Sequence, residues 1–401
     1  MNRLDVAREK LARAGEMLRQ HGLDAWVFYA RNGQDPSFEL MFGRAAKLET
    51  LVWLTPDGQV VAVCDPSEAQ EMLACSLYTA VVPAPAKDVQ ATFRSLFYRQ
   101  PVKQLALNET PEDSRCDGLT VGLYQKLCAA VGEDVMARVE VSSASMLEEL
   151  RAVKTPSEIA IMQECSRLTC DIYDEVFRTI HVGMSEADVG QMMVQALLDH
   201  GCTSGLGAPD DMPLVLLVRC GMSHRRPNPA NIIEAGDMLV IDFSARFSGY
   251  TSDIARTLYF LKPGETHAPD DVRRAVDAAV RAVGAVLAVI KPGMKGYEVD
   301  AVGRQSILDS GYPNIPHSVG HQVGLECHDG GTVLGPHRDR KAMCGVLRQN
   351  EIYAIEPTVL QDPLPSAIVE DNILLTENGY RILSRRQTSV IEIPYREGLP
   401  L

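Results

Sequence analysis

Five residues in the second half of the chain carry chemistry that their surroundings should discourage. Asp242 lies in the run Ile241-Asp242-Phe243, Asp253 follows eleven residues later, His321 sits in PHSVGHQVGLECHD, Glu356 in YAIEP and Glu370 in IVEDN. Each is inside or beside an apolar, β-rich run, where a buried carboxylate keeps its charge only against a positive partner. Few Lys or Arg occupy these runs, and four carboxylates balance two divalent cations. Asp242, Asp253, His321, Glu356 and Glu370 therefore read as a dinuclear metal centre. Its oxygen-rich ligands suit Mn²⁺, Co²⁺ or catalytic Zn²⁺ better than a thiolate site would. Two such ions about 3.5–4 Å apart can share a hydroxide and polarise a carbonyl together.

Positioning these groups takes two hairpins. Residues 237–243 and 251–260 flank Gly249, and residues 352–360 and 367–375 flank the turn QDPLPS. The first hairpin is predicted to set Asp242 beside Asp253, where two acids repel unless something bridges them. The second presents Glu356 and Glu370 to the same place. His317, His321 and His328 follow at spacings of four and seven. No Glu follows His317, so the helical HExxH arrangement is absent. Pro316, Val319, Gly320, Val323 and Gly324 favour a strand, on which His317 and His321 share a face and His328 lies beyond the end. One bound histidine and two free for proton transfer is the division this suggests.

The order Asp, Asp, His, Glu, Glu resembles that of the pita-bread metallopeptidases: prolidase, aminopeptidase P and methionine aminopeptidase. The resemblance covers about residues 155–390, and the region ahead of it is similar to the creatinase-like N-terminal domain of the prolidase and aminopeptidase P branch. It implies that Asp242 chelates one ion, that Asp253 and Glu370 bridge both, and that His321 and Glu356 complete the other. It further implies that His328 stabilises the tetrahedral intermediate and that His317 lies on the substrate side. His224, in SHRRPNP, would contact the residue after the scissile bond. The implied activity is hydrolysis of Xaa-Pro bonds, foremost in dipeptides, by a hydroxide held on the two metals, with Glu356 and the histidines as catalytic groups. The implied partners are a small peptide with proline after the scissile bond and a second copy of the chain. In that homodimer the N-terminal domain of one chain approaches the other's active site.

One position departs from the pattern. Prolidase-like relatives carry an arginine two residues before the second metal-binding glutamate, and here Ile368 stands there. A dipeptide's free carboxylate then needs a cation from a loop. Arg225, Arg226, Arg338 and Arg340 are the candidates, and Arg338 and Arg340, between the histidine motif and Glu356, are the expected ones. The alternatives are an Xaa-Pro aminopeptidase acting on longer peptides, a relative acting on a creatine-, ectoine- or sulfonium-like small molecule, and a peptide-binding module without catalysis. The intact ligand set weighs against creatinase and against the non-catalytic module.

The rest of the chain supplies the frame. Its 401 residues suggest two to three domains, and 46% hydrophobic with 23% charged residues is ordinary for a soluble globular protein. A net charge of -14 argues against nucleic acid or an anionic membrane as the main partner. The ten cysteines are scattered with no CxxC pair, which suggests free thiols in a reducing cytoplasm. The charged N-terminus lacks a signal-peptide core, and no uncharged run is long enough to span a membrane. Helix and strand signals alternate through residue 140 or so: a helix stopped by Gly22, a strand at 25–29, a hairpin about Pro56-Asp57-Gly58, a helix opened by Asp65-Pro66-Ser67-Glu68, and a strand at 137–141. We read an α/β domain over 1–150 and an α+β domain over 151–401. Within the second, residues 180–201 align without gaps to 290–311, a constant offset of 110. That internal repeat predicts a pseudo-two-fold domain with the site where its halves meet.

Overall fold

Leu4, Leu11 and Leu18 recur every seven residues and lie on the helix Arg3–His21, which buries Ala7, Leu11, Ala14 and Leu18 and is stopped by Gly22 at a φ of 66°. The computed structural model describes residues 3–338, 341–361 and 365–396. Thr50–Leu54 and Val60–Cys64 pair antiparallel about Pro56-Asp57-Gly58, where Gly58 takes a φ of 83° that favours glycine. With Ala25–Ala30, Leu105–Leu107, Glu140–Ser142 and Ala80–Pro83 they complete a six-stranded mixed sheet.

Two local expectations shift. Asp65 does not open a helix; its carboxylate accepts the Ser67 N–H at 2.9 Å in a side-chain turn, and the helix starts only at Ala69. Asp competes for backbone donors in this way wherever the following residues can turn. Residues 137–139 close the helix Glu133–Val139, and the strand is Glu140–Ser142. Glu133 and Asp134 in that helix's first turn favour its start, a helix-dipole effect that outweighs the β-branched residues further on.

The chain divides into two compact units, Met1–Arg151 with Thr155–Ser157, and Ala152–Lys154 with Glu158–Leu401. The second unit is built twice over. Pro156–Phe177 and Asp270–Val289 are long helices, each followed by a 14-residue helix, Glu186–Asp199 and Gly296–Asp309, at the offset of 110. Each pair leads into a four-stranded sheet. One holds Leu214–Leu217, Met238–Phe243, Ile254–Phe260 and Ile391–Ile393; the other holds Gly320–Gln322, Ile352–Ile355, Asp371–Thr376 and Gly379–Ile382. Ile172, Tyr173 and Val176 share one core with Leu239, Ile241 and Ile254. Ala279, Val283 and Val286 share another with Tyr353, Ile355 and Ile373. The buried Tyr173 hydroxyl donates to the carbonyls of Ile241 (2.9 Å) and Ile254 (2.7 Å), tying the first long helix to the strands that carry the first acid pair. No described helix is long and apolar enough to cross a membrane.

A buried ion pair locks the turn that carries His328. Lys154 Nζ lies 2.9 Å from Asp329 Oδ2, with both side chains 1% exposed. Removing one partner of such a pair strands a charge, whereas a matched neutral pair does not. Lys154→Met is expected to cost about 3–5 kcal/mol, and Lys154→Met with Asp329→Asn to recover most of it. Urea unfolding of the two variants measures this, and equal stability for both would refute it.

Candidate metal centre

Both hairpins break at the acids they carry. Met238–Phe243 pairs with Ile254–Phe260, and beyond a gap Ala245–Phe247 pairs with Tyr250–Thr251 in the same register. Ser244 therefore stands opposite Asp253. Asp242 is in register with Ala255, two residues past Asp253, so the two acids are diagonal neighbours on one face. In the second half, Ile352–Ile355 pairs with Asp371–Thr376 and Thr358–Val359 with Ala367–Ile368, again without a change of register. Glu356 and Glu370 stand opposite each other in that gap. Asp253, Glu356 and Glu370 thus occupy interruptions where backbone leaves the ladder, while Asp242 reaches the same face from within its strand.

Asp253, His321 and Glu370 are buried and offer ligand atoms that all lie within 4.8 Å of one another. His321 Nε2 is 3.4 Å from Asp253 Oδ2 and 3.7 Å from Glu356 Oε1. Its Nδ1 faces the Gln322 carbonyl at 3.2 Å, which leaves Nε2 as the nitrogen turned to the acids. Asp253 is oriented from several sides. Ser244 Oγ donates to Oδ1 at 2.9 Å and the Cys327 thiol to Oδ2 at 2.8 Å. Asn372 accepts the Asp253 N–H at 3.0 Å and donates to its carbonyl at 2.7 Å. Sequence reasoning missed Ser244, Cys327 and Asn372, because a single hydroxyl, thiol or amide carries no spacing signal.

The electrostatics are those of a site short of positive charge. Burial, then repulsion and a shared proton with Asp253, push Asp242 up to about 8. Glu356 and Glu370 are held well above the carboxylate range by burial first and then by Asp253 and Asp242. Arg256 is a buried cation inside these runs, yet it is engaged elsewhere. It donates to the Glu370 carbonyl at 2.6 Å and to Asp371 Oδ1 at 3.1 Å, so it fixes the backbone of the second acid strand while only slightly favouring ionised Glu370. Oxygen donors, one imidazole and unbalanced negative charge fit divalent cations.

The other histidines gather beside this cluster. The His328 ring centroid is 4.2 Å from that of His321, at an interplanar angle of 34°. His317 does not share a strand with His321, contrary to expectation. The strand is only Gly320–Gln322, and His317 precedes it in a loop with its Nδ1 2.7 Å from the Ser318 carbonyl. Proline at 316 cannot donate to a ladder, which shortens the strand at that end. His224 is exposed, and its proximity helps hold both His317 and His328 below the ordinary imidazole range, with burial the larger cause in each.

The loop arginines divide. Arg225 is engaged by Glu186 at 2.5 Å, and the Arg226 side chain is 91% exposed, 3.5 Å from Asp211. Arg338 is exposed, and its guanidinium forms no hydrogen bond or ion pair with a described residue. Arg340 lies outside the described residues. Ile368 is half-buried against the second core, its N–H and carbonyl both bonded to Thr257 Oγ1 at 3.0 and 2.7 Å.

Residues 160–377 match metallopeptidase family M24. An uncharacterised peptidase of Bacillus subtilis is 28% identical over 276 residues, 69% of this chain and 73% of that protein. The Xaa-Pro dipeptidase of Pyrococcus furiosus is 27% identical over 252 residues, 61% of this chain and 67% of that protein. The solved X-Pro aminopeptidase of Thermotoga maritima superposes with a TM-score of 0.77 at 20% identity, over 95% of this chain and 100% of its own, and so shares the two-domain pita-bread fold.

Proposed function

Because the chain belongs to metallopeptidase family M24, whose members are divalent-metal-dependent peptidases, we propose that it hydrolyses Xaa-Pro peptide bonds, foremost in dipeptides. The observation that carries this reading is the convergence of Asp253, His321 and Glu370 within 4.8 Å, with the His328 ring 4.2 Å from that of His321. Asp242 and Glu356 complete a set for two ions, Mn²⁺ first and Zn²⁺ or Co²⁺ as alternatives. When bound, the ions supply Lewis acidity toward the scissile carbonyl and lower the pKa of the attacking water. Glu356 takes the proton of that water and carries it toward the leaving proline nitrogen. His328 donates to the oxyanion that develops on the carbonyl. His317 and His224 hold the substrate, His224 on the side of the residue after the scissile bond.

A dipeptide presents a free carboxylate close to the reacting carbonyl, and a cation should receive it. Arg338 is the candidate among the described loop arginines, because Arg225 is already engaged. A charge-assisted bond of this kind is roughly twice as strong as a neutral one. Arg338→Ala is therefore expected to raise KM for an Xaa-Pro dipeptide without changing metal content. Amidating the dipeptide should penalise the wild type and leave the variant little affected. The second reading, an Xaa-Pro aminopeptidase, draws on Ile368, which puts an apolar side chain where a carboxylate-binding strand would need a cation. A panel of Xaa-Pro dipeptides and Xaa-Pro-led pentapeptides, assayed with metal content measured on the same sample, tests both. Equal kcat/KM for the two lengths would favour the aminopeptidase, and no cleavage of either would reject the proposal.

A further inference from the structure

Each repeat helix anchors one of the histidine-bearing loops. Glu186, in the first turn of Glu186–Asp199, is 0% exposed. Its carboxylate accepts from both Arg225 Nη atoms (2.5 and 2.7 Å), from the N–H groups of Leu217 (2.7 Å) and Asn228 (3.0 Å), and from Asn231 Nδ2 (2.9 Å). The Glu186 N–H in turn donates to the Asn231 carbonyl at 3.0 Å. These partners span residues 217–231, and His224 adjoins Arg225 within that span. Five donors on one buried carboxylate form a charge-assisted network whose members lose their partner together if it is removed.

The other half uses a different pair for the same task. Asp300, 1% exposed on Gly296–Asp309, accepts from Arg304 Nε (2.9 Å) and Nη2 (2.8 Å) and from the Val319 N–H (3.2 Å). Arg304 also donates to Asn314 Oδ1 (3.0 Å), to the Ile315 carbonyl and to the His317 carbonyl (2.8 Å). These partners span residues 314–319 and include His317 itself. The residue equivalent to Glu186 at the offset of 110 is Gly296, and that equivalent to Asp300 is Gly190, so neither clamp is a relic of the repeat. Each half has its own anchor, and both anchors hold a loop bearing a histidine.

We propose that Glu186 and the Asp300–Arg304 pair are positioning residues, each holding one substrate-side histidine, so that the two repeat helices set the spacing between His224 and His317. The inference rests on the substrate-side reading of those histidines. A displacement of about 1 Å in a positioning group can cost as much as 10²-fold, and loss of uniform substrate binding raises KM while leaving kcat alone.

The test uses the full-length, metal-loaded chain and an Xaa-Pro dipeptide. Glu186→Gln and Asp300→Asn keep side-chain size and remove the charge. Each is expected to raise KM about tenfold with kcat little changed. Each is then crossed with His224→Ala and His317→Ala. The Glu186→Gln effect should vanish in the His224→Ala background and persist in the His317→Ala background, and Asp300→Asn should show the reverse. Hydrogen exchange gives a readout independent of turnover. Glu186→Gln should accelerate exchange in residues 217–231 and not 314–319, and Asp300→Asn the opposite. Equal effects in both histidine backgrounds, or exchange that rises everywhere, would mark the clamps as general structural supports and overturn the proposal. If His224→Ala and His317→Ala themselves leave KM unchanged, the substrate-side reading fails, and the exchange pattern alone decides the clamps, localised exchange upholding them and unchanged exchange overturning them. Should either variant not fold, Arg225→Lys and Arg304→Lys keep the charge but lose the guanidinium fork, and go through the same crosses.

Discussion

Replacing Asp253 with alanine is expected to abolish hydrolysis and to drop bound metal below two ions per chain. Asp253 touches more of the centre than any other acid described in it. Its carboxylate lies 3.4 Å from His321 Nε2, accepts from Ser244 and Cys327, and raises Asp242, Glu356 and Glu370 through its charge. In the proposed two-metal arrangement it serves both ions, so its loss removes a ligand from each. The remaining acids would also repel one another less, so a residual single ion is compatible with the reading. Metal analysis after dialysis, together with turnover on an Xaa-Pro dipeptide, checks this. Two tightly held ions with normal turnover would remove Asp253 from the centre.

The second large effect concerns His328. Its ring lies tilted beside that of His321 at 4.2 Å, and burial and the neighbouring histidine hold it below the ordinary imidazole range. A neutral imidazole retains one N–H for an oxyanion. His328→Ala is expected to lower kcat by roughly 10²–10³, the scale seen when one oxyanion donor is deleted. Metal content should not change, because the proposal gives His328 no ion to hold. Loss of metal together with activity would move His328 into the ligand set and reverse the roles assigned to the histidines. The two variants are informative as a pair: one should uncouple metal from the protein, and the other should uncouple chemistry from metal.

Much of the candidate site is legible in the sequence. Asp242, Asp253, Glu356 and Glu370 stand out because a carboxylate in an apolar, β-rich run is expensive, and four of them on two predicted hairpins demand a common partner. The internal repeat was legible for a related reason. Turn and cap residues recur at an offset of 110, and the two 14-residue helices begin at residues 186 and 296. Elsewhere local signals misled. Asp65 took the turn its side chain favours instead of a helix, and Pro316 cut the histidine strand down to Gly320–Gln322, leaving His317 on a loop.

What the sequence by itself determined is the inventory: which side chains would have to share a metal site, and which halves of the chain carry them. That follows from burial cost and period, both of which are readable along one dimension. Only the tertiary structure decided how the inventory is held. Ser244 and Cys327, 83 residues apart, meet on Asp253; Glu186 reaches across to Arg225; and Arg256 turns to the Glu370 carbonyl and Asp371 instead of to the cluster. A hydrogen bond between distant residues has no period and no composition. It exists only once two interrupted hairpins have brought the acids to one face and the neighbouring donors have been left with nowhere else to go.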